Sequence, residues 1–216
     1  MKDLLEHYDS QYFNDFQKPI GILTGKTGGV FFGDYISKHE SVLDFGCGGG
    51  FILQQIVCEK KFGVEVNEFS RAIALKNGVD CKSDLSEIKD NSVDVVISNH
   101  CLEHVICPGG IIKELFKKLK AGGKIIIIVP CESYKNKYLE EDINNHLYTF
   151  SPMNLGNLLK NARFEKISVK TFFNKWPPKY NFFYKVFGLK LFMILSKIYG
   201  YVNRKTVNIV GYAEKP

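Results

Sequence analysis

The chain has six cysteines, at 47, 58, 81, 101, 107 and 131, but no C-x-x-C pair. That scatter takes a structural zinc site out of the expectation and leaves reduced thiols, the usual state in a cytosolic protein. No apolar segment follows the polar start Met1-Lys2-Asp3-Leu4-Leu5-Glu6-His7, so no secretory leader is expected and the cytoplasm is the expected compartment. A membrane-spanning helix needs about 20 apolar residues with few charges. The most apolar stretch, Phe182 to Tyr201, is broken by lysines at 185, 190 and 197. Acidic side chains are missing altogether from Lys166 to Ala213, which holds nine of the 29 basic residues. The rest of the chain carries 20 basic against 23 acidic residues, a net of −3, so the overall charge of +6 belongs to this one arm.

Apolar residues make up 45% of the 216 residues, enough for one full core. The stretch Ser41-Val42-Leu43-Asp44-Phe45-Gly46-Cys47-Gly48-Gly49-Gly50-Phe51 organises the chain. Val42 to Phe45 reads as a buried parallel strand, and Phe51 to Val57 as the helix that follows it. The glycines between them form a cradle. Glycine lets backbone come close to a ligand, and a helix N-terminus offers unpaired N–H groups. A dinucleotide fingerprint would need G-x-G-x-x-G, and its third position falls on Phe51.

A second strand, Phe62 to Val66, carries Glu65. Ligands of open parallel sheets bind at the carboxyl ends of strands, where this acid can accept from both hydroxyls of a ribose. Glu68 to Lys76 reads as a helix, Val79 to Cys81 as a third strand, and Val93 to Ser98 as a fourth running into Asn99-His100-Cys101-Leu102-Glu103-His104-Val105. His100 and His104, four apart, would share one face of a helix, and no third metal ligand sits nearby in sequence. Ile111 to Lys120 is an amphipathic helix with a glycine C-cap at Gly122-Gly123, followed by a buried fifth strand, Lys124 to Pro130. Ser151 caps a helix over Met153–Asn161, and Phe164 to Val169 and Val207 to Ala213 read as the last two strands. Leu4, Leu5, Tyr8, Tyr12, Phe13 and Phe16 fit an amphipathic helix, and the glycine-rich segment 21–33 reads as loop.

The pattern hydrophobic-Leu43-Asp44-hydrophobic-Gly46-Cys47-Gly48-x-Gly50 resembles the first motif of class I S-adenosylmethionine-dependent methyltransferases. Leu102-Glu103-His104-Val105 resembles the fourth motif of their type 11/type 12 small-molecule branch, and Leu119 to Gly123 resembles its L-K-P-G-G turn with Ala121 for proline. His146 and Phe150-Ser151 resemble its H-x-x-x-F-S/T segment. The resemblance covers residues 8–170 and the last strand. It implies an α/β fold: a Rossmann-like, seven-stranded mixed sheet flanked by helices, here one domain over 1–216, with residues 1–40 as an N-terminal cap. The helical insertion between the last two strands, 172–205, is this chain's own addition.

The resemblance further implies S-adenosyl-L-methionine as cofactor, with S-adenosyl-L-homocysteine as product. The cofactor set is Asp44, Gly46, Cys47, Gly48, Gly50, Glu65, Val66, Asp84, Leu85 and Asn99, with Asp84 at the adenine amino group and Leu85 on its ring. His100 and His146 are the candidate bases, since an imidazole with a pKa of about 6.5 suits a hydroxyl acceptor at neutral pH. Small-molecule, glycan and lipid-linked acceptors all remain open, as does transfer to oxygen or nitrogen. A non-catalytic cofactor-binding subunit stays the alternative, with RNA methylation behind it: no N-P-P-Y-type nucleobase motif is present, and nucleic acid is not the favoured partner. The basic aromatic arm 172–205 suits a lid, a homodimer contact or an anionic membrane surface.

Overall fold

The computed structural model describes residues 18–133, 135–140, 142, 144–203 and 206–216. The aromatic N-terminal helix expected over residues 4–16, and Arg204 and Lys205 of the arm, lie outside them. The element order is α1 (Lys18–Gly33), β1 (Ser41–Phe45), α2 (Phe51–Gln55), β2 (Lys60–Val64), α3 (Glu68–Lys76), β3 (Asp80–Lys82), β4 (Val93–Asn99), α4 (Pro108–Lys118), β5 (Leu119–Glu132), α5 (Pro152–Asn161), β6 (Glu165–Phe172), α6 (Tyr180–Val202) and β7 (Thr206–Glu214). The strands form one sheet in the order β3-β2-β1-β4-β5-β7-β6. The pairs β1–β2, β1–β4, β2–β3 and β4–β5 are parallel, while β7 runs antiparallel to both β5 and β6. This is the mixed seven-stranded sheet that the sequence implies, with a helix inserted between β6 and β7.

Strand side chains alternate between faces, so a strand covered on both sides must be apolar throughout. In β5, Ile125, Ile127 and Val129 pack to one side with Ile112, Leu115, Leu155 and Leu159 of α4 and α5. Ile126 and Ile128 pack to the other with Phe32, Ile52, Leu53 and Ala74 of α1, α2 and α3. Two apolar layers thus clamp the sheet and fix where β1, β2 and β4 end, which is where the candidate site lies.

Three local expectations are corrected. The segment 21–33 is not loop: it is most of α1. Gly21, Gly25 and Gly29 recur every four residues, and each sits against α2: a Cβ at Gly21 would meet the Phe51 ring at 2.7 Å, and one at Gly25 the Phe51 carbonyl at 2.5 Å. Helix glycine costs about 1 kcal/mol against alanine, and close backbone packing offsets that cost here. α4 ends earlier than expected, at Lys118, and Gly122 is no C-cap. At φ 73° it donates its N–H to the Lys215 carbonyl at 2.9 Å, at the start of β5. His100 and His104 share no α-helix either: His100 has φ 52°, and Leu102–His104 is a single 3-10 turn.

Candidate active site

The turn after β1 is built around positive φ at Gly46 (77°), Gly48 (53°) and Gly50 (72°). A side chain at Gly46 would be strained by that φ and would collide with the Cys101 thiol. Gly46 donates its N–H to the Val64 carbonyl at 2.8 Å, and Gly50 donates to Cys47 at 2.9 Å, so the turn is pinned to the end of β2 and to itself. Its centre is therefore bare backbone, as the glycine pattern requires.

Two carboxylates flank this turn. Asp44, 1% exposed, is the penultimate residue of β1, and neither of its oxygens has a hydrogen-bond partner among the described residues. Burial first, and then the charge of Glu65, push its pKa from 3.8 up to about 8. A buried unpartnered carboxyl costs roughly 1–3 kcal/mol, which makes it a group waiting for a donor. Glu65, 8% exposed, follows β2 directly, since the strand ends at Val64 rather than at Val66. Its Oε2 accepts from Gly48 N–H at 2.9 Å and its Oε1 from Asn67 N–H at 2.8 Å. Burial raises its pKa, and these two bonds and Arg71 counter that in part. Each oxygen keeps a lone pair for a further donor.

The other candidate residues divide. Cys47 contributes backbone to the turn, but its thiol turns to Cys81 at 3.5 Å, and that contact and burial hold it well above the ordinary thiol range. Val66 is exposed and Asn99 half-buried at the end of β4. Asp84 is exposed and caps the 3-10 turn Leu85–Glu87, its Oδ1 accepting from Ser86 N–H at 2.8 Å. The Ser86 side chain first, and then its backbone N–H, hold that carboxyl below the usual range. Leu85 is buried in the core with Leu43 and Val64. Asp84 thus serves as a turn-forming acid through Oδ1, and Oδ2 remains for a ligand.

Past β4 the structure gathers side chains that sequence distance hides. Glu103 is fully buried, and among the described residues neither carboxylate oxygen has an aligned hydrogen bond. His100 Nδ1 lies 3.3 Å and His104 Nε2 3.9 Å from its Oε1. Burial raises the Glu103 carboxyl, but the two imidazoles outweigh it and leave it below the ordinary value. Burial pushes the His104 imidazole down. His146 comes in from the segment before α5, its ring 4.9 Å from that of His104, centroid to centroid. Its Nδ1 is 2.8 Å from Glu132 Oε1 at the end of β5. Glu103, His104 and His146 bring three ligand-type atoms within 4.8 Å of one another. The sequence offered no third ligand to a His100–His104 pair; the fold supplies Glu103 and His146 instead.

Glu103 and Glu132 were missed as site residues by sequence reading. Glu103 lies inside the L-E-H-V run, and a carboxylate next to two histidines was the available signal. Glu132 carried none, since its tie to His146 exists only after β5 and the loop to α5 are folded. A cavity of about 370 Å³ lies elsewhere, lined by Phe31, Tyr35, Phe172 and Tyr212 among others, and shares no residue with the cradle or the imidazole cluster.

A family model for a methyltransferase domain matches residues 26–169. Phosphoethanolamine N-methyltransferase 1 of Arabidopsis thaliana is 29% identical over 147 residues, 61% of this chain and 30% of that protein. A ubiquinone biosynthesis O-methyltransferase of Idiomarina loihiensis is 35% identical over 119 residues, 49% of this chain and 46% of the relative. The chain therefore spans less than half the length of either. Among solved structures, Haemonchus contortus phosphoethanolamine N-methyltransferase 2, in complex with phosphomonomethylethanolamine and S-adenosylhomocysteine, superposes with a TM-score of 0.72 at 16% identity, over 100% of this chain and 61% of that one. A S-adenosylmethionine-dependent methyltransferase of Thermotoga maritima, described as a possible histamine N-methyltransferase, gives 0.71 at 21% identity over 99% and 100%. At such identities these two likenesses speak for the fold.

Proposed function

This chain belongs to the methyltransferase-domain family, and from that premise we propose that it transfers a methyl group from S-adenosylmethionine to an oxygen or nitrogen of a small-molecule, glycan or lipid-linked acceptor. The observation that carries the reading is the pair of buried carboxylates, Asp44 and Glu65, on either side of a glycine turn where a Cβ at Gly46, Gly49 or Gly50 would collide with a neighbouring side chain.

The cradle fits the nucleoside. Gly46, Gly48 and Gly50 shape the turn through their positive φ, and Glu65 keeps acceptor capacity for a ribose diol. Asp44 holds an unanswered carboxyl beside the turn. Asp84 and Leu85 are assigned to the adenine edge and ring, and Cys47, Val66 and Asn99 to the remaining lining. When bound, the cofactor supplies an electrophilic methyl group on a sulfonium. The chain's own contribution is to hold an acceptor in line with that methyl, which can lower the barrier by several kcal/mol. It also takes the acceptor's proton where the acceptor is a hydroxyl. His146, steadied by Glu132, and His100, beside Glu103, are the bases. An imidazole in contact with a carboxylate keeps one orientation and one tautomer, which leaves the opposite nitrogen free to accept.

A pH series tests the cradle. Asp44 is protonated below about 8 in the free chain. Facing a ligand ammonium, it would ionise, so binding releases a proton there. Affinity for S-adenosylhomocysteine should therefore rise from neutral pH toward about 8 and then level off. Calorimetry in buffers of different ionisation enthalpy reads that proton directly. A flat affinity with no proton released would remove Asp44 from the cofactor set.

A further inference from the structure

α6 has a settled inner face and an open outer one. Gly188, at φ 70° and ψ 177°, breaks it into two segments. In the second, Phe192, Ser196 and Gly200 are buried. The Phe192 ring meets Trp176 and Tyr184, with centroids 6.1 and 6.0 Å away, and a Cβ at Gly200 would lie 2.9 Å from the Asn174 nitrogen. The opposite face is apolar and bare: Ile194 is 53% and Ile198 57% exposed, and Leu191, Tyr201 and Val202 are exposed with them. At 3.6 residues per turn these five fall within an arc of about 100°. Lys190 and Lys197, both exposed, lie along one edge of that arc.

Three facts fix the chemistry of the partner. The stripe is apolar, which asks for burial. Its edge and the whole stretch from Lys166 to Ala213 carry no acid, which asks for negative charge. Among the described residues, no ion pair engages Lys179, Lys185, Lys190 or Lys197. No helix among the described residues is long and apolar enough to cross a membrane. An apolar stripe edged by lysines on one helix is the pattern of interfacial binding to anionic lipid.

We propose that α6 docks this protein in the plane of an anionic bilayer, with Leu191, Ile194, Ile198 and Tyr201 at the acyl boundary and Lys190 and Lys197 at the headgroups. The docked helix reaches the cradle in two steps. Lys26 Nζ donates to Tyr184 Oη at 2.8 Å, joining the first segment of α6 to α1, and the Tyr184 ring meets Phe192 of the second. α1 in turn packs through Gly21 and Gly25 on Phe51 of α2, which follows the glycine turn. The inference stands apart from the enzymatic reading, because it needs neither cofactor nor turnover.

Flotation of the full chain tests it, with vesicles of phosphatidylcholine alone and of roughly two parts phosphatidylcholine to one part phosphatidylglycerol. The chain should float with the anionic vesicles and stay behind with the neutral ones. Lys190→Gln with Lys197→Gln should weaken binding on the order of 25-fold, about five-fold per lysine. Ile194→Ser with Ile198→Ser should weaken it by at least about ten-fold. Thermal unfolding and S-adenosylhomocysteine affinity, measured beside flotation, should stay as in the wild type. A chain that floats but binds no nucleoside would defeat the proposed function and leave the docking intact. Wild-type protein that floats with neither vesicle, or both double variants floating as strongly as wild type, would overturn it. So would a light-scattering mass of two chains in dilute solution that drops to one on Ile194→Ser with Ile198→Ser, since a second copy would then cover the stripe.

Discussion

Replacing Glu65 by Ala should lower affinity for S-adenosylhomocysteine by roughly 100-fold or more, since two hydrogen bonds to a charged acceptor are lost at about 1.5–3 kcal/mol each. The side chain does two things at once. Its oxygens accept from Gly48 and Asn67 N–H groups, which tie the glycine turn to the start of α3, and their spare lone pairs are assigned to the ribose diol. The Ala variant also strands two buried donors, so the free protein should lose about 1–3 kcal/mol of stability. Calorimetric titration and thermal unfolding, run on Glu65→Ala and Glu65→Gln, separate these effects. The Gln variant keeps one acceptor oxygen and the side-chain volume, so it should recover most of the stability and only part of the affinity. Unchanged affinity in both would end the ribose assignment.

His146→Ala should reduce turnover on a hydroxyl acceptor by about 100-fold or more while leaving S-adenosylhomocysteine affinity unchanged, because a positioned base contributes about 10²–10⁴ in rate. Its Nδ1 contact with Glu132 at 2.8 Å is what gives the ring a fixed direction. Turnover restored as pH rises would support loss of a base, since more of the acceptor is then already ionised. Equal turnover in variant and wild type would remove His146 from the mechanism and leave His100 as the candidate.

Strong local signals made the sheet legible. Alternate burial on both faces turns β4 and β5 into continuous apolar runs, and the glycine turn is dictated by backbone that must adopt positive φ. Boundaries shifted where tertiary contacts decide them. β2 stops before Glu65 because that residue turns its side chain back to the β1 turn. α4 stops at Lys118, and β5 begins at Leu119. The segment 21–33 reads as loop because glycine is a poor helix former, and its reason to be helical lies on another element, Phe51 and Gln55 of α2. The four-residue spacing of Gly21, Gly25 and Gly29 was the trace of that contact in the sequence.

The candidate site was half legible. Residues from one motif, such as Asp44 and Gly46, are neighbours in the chain and stay neighbours in the fold. Glu65 joined them through the rule that strand ends meet. The imidazole cluster could not be assembled the same way. His146 meets His104 only because the segment before α5 folds back over the end of β4, where Leu147 and Tyr148 N–H groups donate to the Glu103 carbonyl at 2.9 and 3.1 Å. Backbone bonds of that kind leave no residue pattern to read.

The most direct test of the account is a calorimetric titration of the wild-type chain with S-adenosylhomocysteine, run beside NAD under the same conditions. Micromolar binding of the nucleoside with none of NAD is the expected result, and it would identify the glycine turn with Asp44 and Glu65 as a methyl-donor cradle. Binding of NAD instead, or of neither ligand, would contradict it.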